Sequence, residues 1–412
     1  MTTPIVVAGP SHVRGMKHQL AIGNVRSSGR PVEWIDFPGT GTLSPHFQKA
    51  TFTSEPMDTL FLVPDFRFGN KAVVNPKIPA NHAAVDRSLI SPENDAKMYS
   101  AVMTALEAIR DKNPRCRFVF WCFAGREEDN RFAGKYFENG VYRHPTWNLS
   151  DAEERLGSQV ISLRPLIEHP HGRSFRIDDS QHPSFLGHEL LRRLIADPDI
   201  DLPTTISDIV STSTQVVVRA TVPTVITGHS HWLTRLDETV SRRLVRLEGP
   251  VDIVDPKTLF TEPPGRGTRV VYVSGLQRVL RPDPLRRATT ETVDELRRLG
   301  AQGADVRIVP WENKVSVSPA PTRVGQPALW SAAPEFAPIP PIAGWTAGVA
   351  PFTVEDFDLE HDQMPTVPAP TGDVPFREGA RLRPIPTTHG IEKLLRAVGF
   401  DVSHEPFLDP AP

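Results

Sequence analysis

The sequence matches itself across a separation of 219 residues. Residues 4–36 and 223–255, which are 33 residues each, share eight identical positions without a gap, where ordinary composition gives about two by chance. The identical pairs are Pro4/Pro223, Val6/Val225, Gly9/Gly228, Ser11/Ser230, His12/His231, Pro31/Pro250, Val32/Val251 and Asp36/Asp255. This self-similarity predicts two tandem copies of one domain, against the alternative that two ordinary α/β halves match by coincidence.

The length of 412 residues also fits two domains better than one. We expect a first domain over 1–200, a connecting segment at 201–221 and a second, degenerate copy over 222–412. Proline is concentrated in residues 318–376 of that copy, and it disfavours both helices and central strands. Because this stretch also contains several aromatic residues, it is predicted to be an ordered, wrapping insertion rather than a free linker.

Short apolar strands alternate with helices along the first half, which predicts a mainly parallel sheet covered by helices on both faces. The predicted strands are Pro4–Ala8, Pro31–Phe37, Thr59–Val63, Arg117–Cys122 and Gln159–Leu163. The predicted helices are His12–Val25, Pro92–Asp111, with a stripe of Met98, Val102, Leu106 and Ile109, and Phe185–Ala196. In the second half, Val270–Val273 and Arg307–Trp311 match the third and fourth strands.

Composition argues against several classes of partner. The net charge is −3 and the sequence has no long basic tract, so neither nucleic acid nor an anionic membrane is expected to bind. No apolar run approaches the roughly 20 residues of a membrane span, and the N-terminal residues are not typical of a signal peptide. Cys116 and Cys122 are too far apart on a predicted strand for a disulfide, which favours a reducing, cytoplasmic setting.

Ser11 follows the first predicted strand directly, in the sequence Gly9-Pro10-Ser11, and it opens a predicted helix. The N–H groups at the start of a helix have no partners within that helix and can stabilise an oxyanion beside such a serine. A serine hydroxyl still needs a base to act as a nucleophile at neutral pH. By itself Ser11 is better explained as the N-cap of the helix.

A second motif supplies the missing base. Asp179 precedes His182 by three residues, in the sequence DSQHPSFLG before an apolar helix. An aspartate at this spacing can fold back onto the imidazole Nδ1–H and leave Nε2 available as a general base. Asp178 is a weaker candidate for this orienting role, and the alternative is a helix-entry loop with a capping acid.

The pattern D-x-x-H-P-S-x-x-G, with the Gly-x-Ser turn after the first strand, resembles the SGNH, or GDSL-like, hydrolase and acyltransferase superfamily over roughly residues 4–200. The resemblance implies a three-layer α/β/α, flavodoxin-like fold. It implies that Ser11 attacks an ester carbonyl, that His182 accepts the serine proton and that Asp179 orients His182. The family usually has Asp where this chain has Pro10, but that aspartate is not the catalytic acid.

The resemblance also implies two oxyanion donors, a glycine after the second strand and an asparagine after the third. Gly39 and Gly41 are candidates for the first donor. Asn70 is the candidate for the second, although it lies several residues past the predicted strand and could instead be an ordinary turn residue. Asp65 and Arg67 lie closer to the strand end, where substrate binds in such sheets.

Other histidines and the second copy leave alternatives open. His12 could lie at the edge of the active site or be structural, and it is included among the candidate substrate-binding residues. His169, His171 and His182 share one loop, but they lack metal-ligand spacing, so neither a metal nor another cofactor is expected. The second-copy candidates are Ser230, His231 and His389. Position 386, three residues before His389, is proline rather than aspartate, so the second copy is predicted to be inactive. The alternative is that Ser230 serves a different, unrecognised site.

The sequence therefore predicts a serine-dependent O-acyl ester hydrolase, acting on a small-molecule or carbohydrate ester through an acyl-serine intermediate. One alternative is an O-acyltransferase with the same triad. A second is a binding protein on a catalytically silent fold of this type. The sequence does not specify the acyl group, the acceptor or the oligomeric state.

Overall fold

The computed structural model of the chain describes residues 3–10, 12–13, 15–17, 27–36, 41–44, 56–78, 89, 91–121, 149–176, 182–228, 236–237, 240–275, 295–296, 298–311, 395 and 399–407. The chain divides into two compact units. The first unit comprises Met1–Ser213 together with Phe407–Pro412, and the second comprises Thr214–Pro406.

The first unit contains a five-stranded sheet in the order β2-β1-β3-β4-β5. Its strands are β1 (Ile5–Gly9), β2 (Val32–Asp36), β3 (Thr59–Leu62), β4 (Cys116–Val119) and β5 (Val160–Ile161). Every neighbouring pair in this sheet is parallel. The predicted α/β fold class with a mainly parallel sheet is confirmed.

Helices connect and cover these strands. They are α1 (Pro92–Lys112), α2 (Leu149–Leu156), α3 (Arg164–Glu168), α4 (Phe185–Ala196) and α5 (Leu202–Thr212). Short 3-10 helices occupy Lys71–Val73, Gly157–Gln159 and Gly172–Phe175. The described residues 12–13 and 15–17, which follow β1, are also helical.

Local sequence explains where the two longest of these helices begin. Ser91 caps α1 by accepting a hydrogen bond from Asn94 N at 3.1 Å, and proline occupies the first helical position. The predicted stripe of Met98, Val102, Leu106 and Ile109 is buried, which confirms that prediction. Ser184 caps α4 in the same way, and this helix spans the predicted residues.

The strand order places one crevice at the carboxyl edge of the sheet. In a doubly wound sheet of order 2-1-3-4-5, the connections leave β1 and β3 toward opposite faces, so ligands bind between the carboxyl ends of these two strands. Gly9 ends β1 at this point. A Cβ at Gly9 would lie 2.8 Å from Val13 Cγ2 and 3.0 Å from Leu62 O, so glycine allows the chain to turn tightly past β3.

The second unit contains two sheets. A four-stranded parallel sheet has the order β11-β10-β7-β9, and a three-stranded sheet has the order β12-β6-β8. The elements are β6 (Thr214–Arg219), β7 (Thr224–Gly228), β8 (Val245–Glu248), β9 (Val251–Ile253), α6 (Pro256–Thr261), β10 (Arg269–Gly275), β11 (Asp305–Trp311) and β12 (Asp401–Pro406). In the smaller sheet β6 pairs parallel with β8 and antiparallel with β12.

The four-stranded sheet matches part of the first sheet in order and register. The order β9-β7-β10-β11 corresponds to β2-β1-β3-β4. In each of these two sheets, the second strand in chain order, β2 or β9, therefore lies on the same side of the first, β1 or β7. Ile5 pairs with Val32, and Thr224 pairs with Val251, a shift of 219 residues at both positions. Ile5 N donates to Pro31 O at 3.0 Å, and Thr224 N donates to Pro250 O at 2.8 Å.

One predicted feature differs from the structure, and others lie outside the described residues. The segment 201–221, expected to connect the domains, contains α5 and β6. The proline-rich residues 318–376 and Cys122 lie outside the described residues, whereas Cys116 is a buried free thiol. Among the described residues, no helix has the length and apolar character needed to cross a membrane.

Gly187 in α4 provides a test of close packing in the first unit. A Cβ at Gly187 would collide with Phe175 O and lie 3.0 Å from Trp121 Cζ2. We expect Gly187→Ala to lower the free energy of unfolding by about 1–3 kcal/mol, measured by urea denaturation of the full chain.

Gly15→Ala is the matched control for this prediction. The nearest atom to a Cβ at Gly15 is His188 Nε2 at 3.7 Å, an ordinary contact, and Gly15 is helical. Alanine should therefore raise stability by about 0.5–1 kcal/mol. Equal effects of the two substitutions would contradict this account of the packing.

Candidate functional site

The segment that carries His182 is anchored by the residues that follow it. Pro183 forms an antiparallel bridge with Arg176, and Ser184 N donates to Phe175 O at 3.0 Å. The Ser184 hydroxyl donates to Ser174 O at 2.5 Å and accepts from Gly187 N at 3.3 Å. The backbone next to His182 is therefore held both to the Gly172–Phe175 turn and to the first turn of α4.

His182 contacts the helical residues that follow β1. Its ring centroid lies 4.9 Å from that of His12, and the two ring planes are tilted by 34°. His12 is 5% exposed, whereas His182 is half-buried. His12 follows Ser11 directly in the sequence, so the predicted base lies against the immediate chain neighbour of the predicted nucleophile. Ser11, Asp178 and Asp179 lie outside the described residues.

The two loops that were predicted to supply oxyanion donors meet each other. A Cβ at Gly41 would collide with Phe68 O and with the Asn70 side chain, so the chain at Gly41 runs directly against Asn70. Leu43 N donates to Asn70 Oδ1 at 3.3 Å. Gly39, the other glycine candidate, lies outside the described residues.

Asn70 reaches this position because the chain after β3 folds back in two consecutive turns. Phe68 N donates to Asp65 O at 2.9 Å, and Asn70 N donates to Arg67 O at 3.3 Å. Asn70 Nδ2 donates to Phe66 O at 2.7 Å. Nδ2 makes only this hydrogen bond within the described residues, so its second N–H can serve another acceptor.

Arg67 is held by a carboxylate of α1. Its Nε and Nη2 donate to the two carboxylate oxygens of Asp95 at 2.7 Å and 3.1 Å. Arg67 is 1% exposed and Asp95 is fully buried. The guanidinium also lies 4.3 Å from the centre of the Phe66 ring. This ion pair fixes the loop after β3 to α1, and a role for Arg67 in substrate binding stays a prediction.

Asp65 is the more accessible of the two charged candidates in this loop. Its side chain is 19% exposed. Its Oδ1 accepts the Arg67 backbone N–H at 2.9 Å, and Oδ2 lies 3.5 Å from Arg67 Nη1. Burial raises the pKa of Asp65, since the loss of solvation outweighs the attraction of Arg67, and the carboxylate of Asp95 raises it further.

Asp95 is a residue that sequence reasoning missed. It lies three residues before Met98, on the same face of α1 as the apolar stripe. A charged residue on a buried stripe needs a partner, so the position of Asp95 in the sequence is the signal from which a buried ion pair could have been predicted. Thr42 and Ser44, beside Gly41, are further buried polar residues of the site that the sequence did not indicate.

Two of the histidines considered as metal ligands, His169 and His171, lie near each other, whereas the third, His182, lies against His12. The rings of His169 and His171 are 5.9 Å apart, and His171 packs edge-on against Phe407 at 5.4 Å. Burial lowers the pKa of His169. Within the described part of the chain, no three histidine, cysteine or acidic side chains are grouped to hold a metal ion.

The second-copy candidates Ser230, His231 and His389 lie outside the described residues. In the second unit, the described chain reaches the carboxyl end of β7 at Gly228. Gly228 has a φ of 145°.

Two comparisons with known proteins give no match for the chain. No family model matches it. A search of curated proteins also gives no match. The functional argument therefore depends on the geometry of the site and on the sequence motifs.

The buried Arg67–Asp95 pair predicts a large loss of stability when one partner is removed. Asp95→Ala removes the two carboxylate oxygens that accept from the Arg67 guanidinium, while Arg67 stays buried. We expect the free energy of unfolding to fall by about 3–5 kcal/mol in urea denaturation.

Two variants control this prediction. Glu93→Gln removes an exposed ion pair with Lys97 on the same helix and should leave stability nearly unchanged. The double variant Arg67→Met with Asp95→Leu should lose less stability than Asp95→Ala, since it removes both charges together. A double variant that is less stable than Asp95→Ala would contradict the ion-pair account.

Proposed function

We propose that the chain is a serine-dependent O-acyl ester hydrolase with an SGNH-type arrangement of residues. The contact between His182 and His12 carries this proposal, because it brings the predicted base to the turn that contains Ser11. The two residues are 170 positions apart in the sequence (182 − 12 = 170). Their meeting at the carboxyl edge of a doubly wound sheet favours catalysis over a simple helix cap.

The strand order and the oxyanion loops support the same proposal. The order β2-β1-β3-β4-β5 has its ligand crevice between the carboxyl ends of β1 and β3. Gly41 and Asn70 meet beside that crevice, after β2 and after β3. A backbone N–H and an amide N–H at this place are the donor types that stabilise an oxyanion.

The proposed reaction has two half-steps. The Ser11 hydroxyl attacks the ester carbonyl while His182 accepts its proton, and Gly41 and Asn70 stabilise the oxyanion. The tetrahedral intermediate collapses to an acyl-serine, and His182 returns the proton to the departing alcohol. Water then attacks the acyl-serine with His182 again as base, releasing the carboxylic acid and restoring Ser11. Asp179 orients His182 throughout.

We also propose that the second unit is a duplicate of the first that has lost this chemistry. The matching strand order, and the constant shift of 219 residues in both sequence identity and strand register, support duplication. The absence of an aspartate three residues before His389 supports the loss of a triad. The β6-β8-β12 sheet has no counterpart in the five-stranded sheet and would be an addition.

Labelling with a serine-reactive fluorophosphonate, followed by peptide mapping, tests this proposal on the full chain. We expect label on Ser11, because a base-activated serine attacks the phosphorus atom. Ser11→Ala should abolish the label, and His182→Ala should lower its rate by at least about a hundredfold.

Matched variants separate active-site effects from effects on folding. Ser230→Ala should keep the wild-type rate of labelling, and so should His169→Ala, which changes a histidine of the first unit that is not part of the predicted triad. Label on Ser230 alone would assign catalysis to the second unit. No label on either serine in the folded protein would favour a silent binding protein.

The fate of the acyl group separates a hydrolase from a transferase. With p-nitrophenyl acetate as substrate, we expect acetate to be released at the same rate whether or not candidate sugar acceptors are present. Acetyl transfer to a sugar that outruns release of acetate would show that a hydroxyl rather than water is the acceptor.

A further inference from the structure

The helical residues after Ser11 approach the segment from His182 to His188, which carries the predicted base, at two places. His12 packs against His182, and Gly15, one helical turn later, faces His188 of α4 with 3.7 Å between a Cβ built at Gly15 and His188 Nε2. Residues three apart lie on the same face of a helix, so both contacts belong to one surface. The chain that follows the predicted nucleophile is therefore packed along the chain that carries the predicted base.

The backbone anchors near His182 do not by themselves fix its ring. Pro183 and Ser184 are held by a strand bridge and by hydrogen bonds, and these contacts act on the chain beside His182 rather than on its imidazole. The ring of His12 covers the His182 ring at 4.9 Å with a tilt of 34°. His12 is itself buried, so its own ring has little freedom to move.

We infer that His12 is a positioning residue for His182, an inference that rests on the proposed function. Its ring holds the imidazole of His182 in the orientation needed to accept the Ser11 proton. Since His12 is joined to Ser11 by one peptide bond, it also fixes the nucleophile and the base relative to each other. A misplacement of about 1 Å at such a pair can lower the rate about a hundredfold.

The contact on which this role depends is between two rings. The tilt of 34° is closer to stacking than to an edge-on arrangement, so packing of one ring over the other is the contact to preserve. Phenylalanine keeps a ring at position 12 and removes both ring nitrogens. Asparagine keeps hydrogen-bonding atoms and removes the ring, and alanine removes both.

The variants His12→Ala, His12→Asn and His12→Phe test the inference in the full chain. With p-nitrophenyl acetate, we expect the alanine and asparagine variants to lower kcat by about 10- to 100-fold, with KM changed by less than about twofold. The phenylalanine variant should retain kcat within about threefold of the wild type. Fluorophosphonate labelling of Ser11 should follow the same order of rates.

Two controls guard against a loss of the fold. Urea denaturation of every variant identifies any that is unfolded under assay conditions, and the comparison of phenylalanine with asparagine then stands without alanine. His171→Ala removes another buried histidine of the same unit, and it should reduce stability without changing kcat.

A spectroscopic measurement tests the contact without catalysis. In a histidine-labelled full chain, the ring protons of His182, assigned through His182→Ala, should carry an upfield ring-current shift in the wild type. His12→Phe should keep an upfield shift, whereas His12→Asn should abolish it.

The outcomes separate the inference from the proposed function. Absence of Ser11 labelling and of ester hydrolysis in the wild type would overturn the proposed function and, with it, the inference. A labelled wild type whose His12→Ala and His12→Asn variants react at the wild-type rate would overturn the inference alone. So would a folded His12→Phe variant as slow as His12→Asn.

Discussion

The buried pair between Arg67 and Asp95 holds the loop after β3 to α1, and the rest of the crevice is built on that loop. A guanidinium and a carboxylate this deeply buried each need the other, because an unpaired charge at either position is strongly unfavourable. With Arg67 fixed, two turns bring Asn70 back toward β2, and Asn70 then receives the backbone N–H of Leu43. The positions of both loops that carry predicted oxyanion donors thus depend on one ion pair.

Some contacts around the crevice join segments that are far apart in the sequence. Local sequence patterns do not predict such contacts. The predicted helix Phe185–Ala196 coincides with α4 because its cap and its apolar periodicity are local signals. The Arg67–Asp95 pair joins residues 28 positions apart, and no local pattern connects them. The β12 strand was missed for a similar reason, since it pairs with β6 from nearly the opposite end of the second unit.

The candidate site was predictable in part. The motif around His182 predicted a base on a rigid segment, and the bridge between Arg176 and Pro183 anchors that segment, whereas the role of His182 stays a prediction. Sequence spacing left it open whether Asn70 could approach a glycine loop, because that depends on how the intervening turns fold. The contact between His12 and His182 depends on tertiary packing of the helical residues after β1 against the segment before α4, so sequence left open whether His12 is structural or lies at the edge of the site.

The second unit is inserted into the first, and its two ends meet. Thr214 and Pro406 are register partners in the antiparallel pair of β6 and β12, so their Cα atoms are only about 5 Å apart. Phe407, the next residue, packs on His171 of the first unit. During synthesis on the ribosome, the contact between His171 and Phe407 cannot form until about 190 inserted residues have been translated. Because these ends are close, a short hairpin could replace the whole insert without displacing the flanking residues of the first unit.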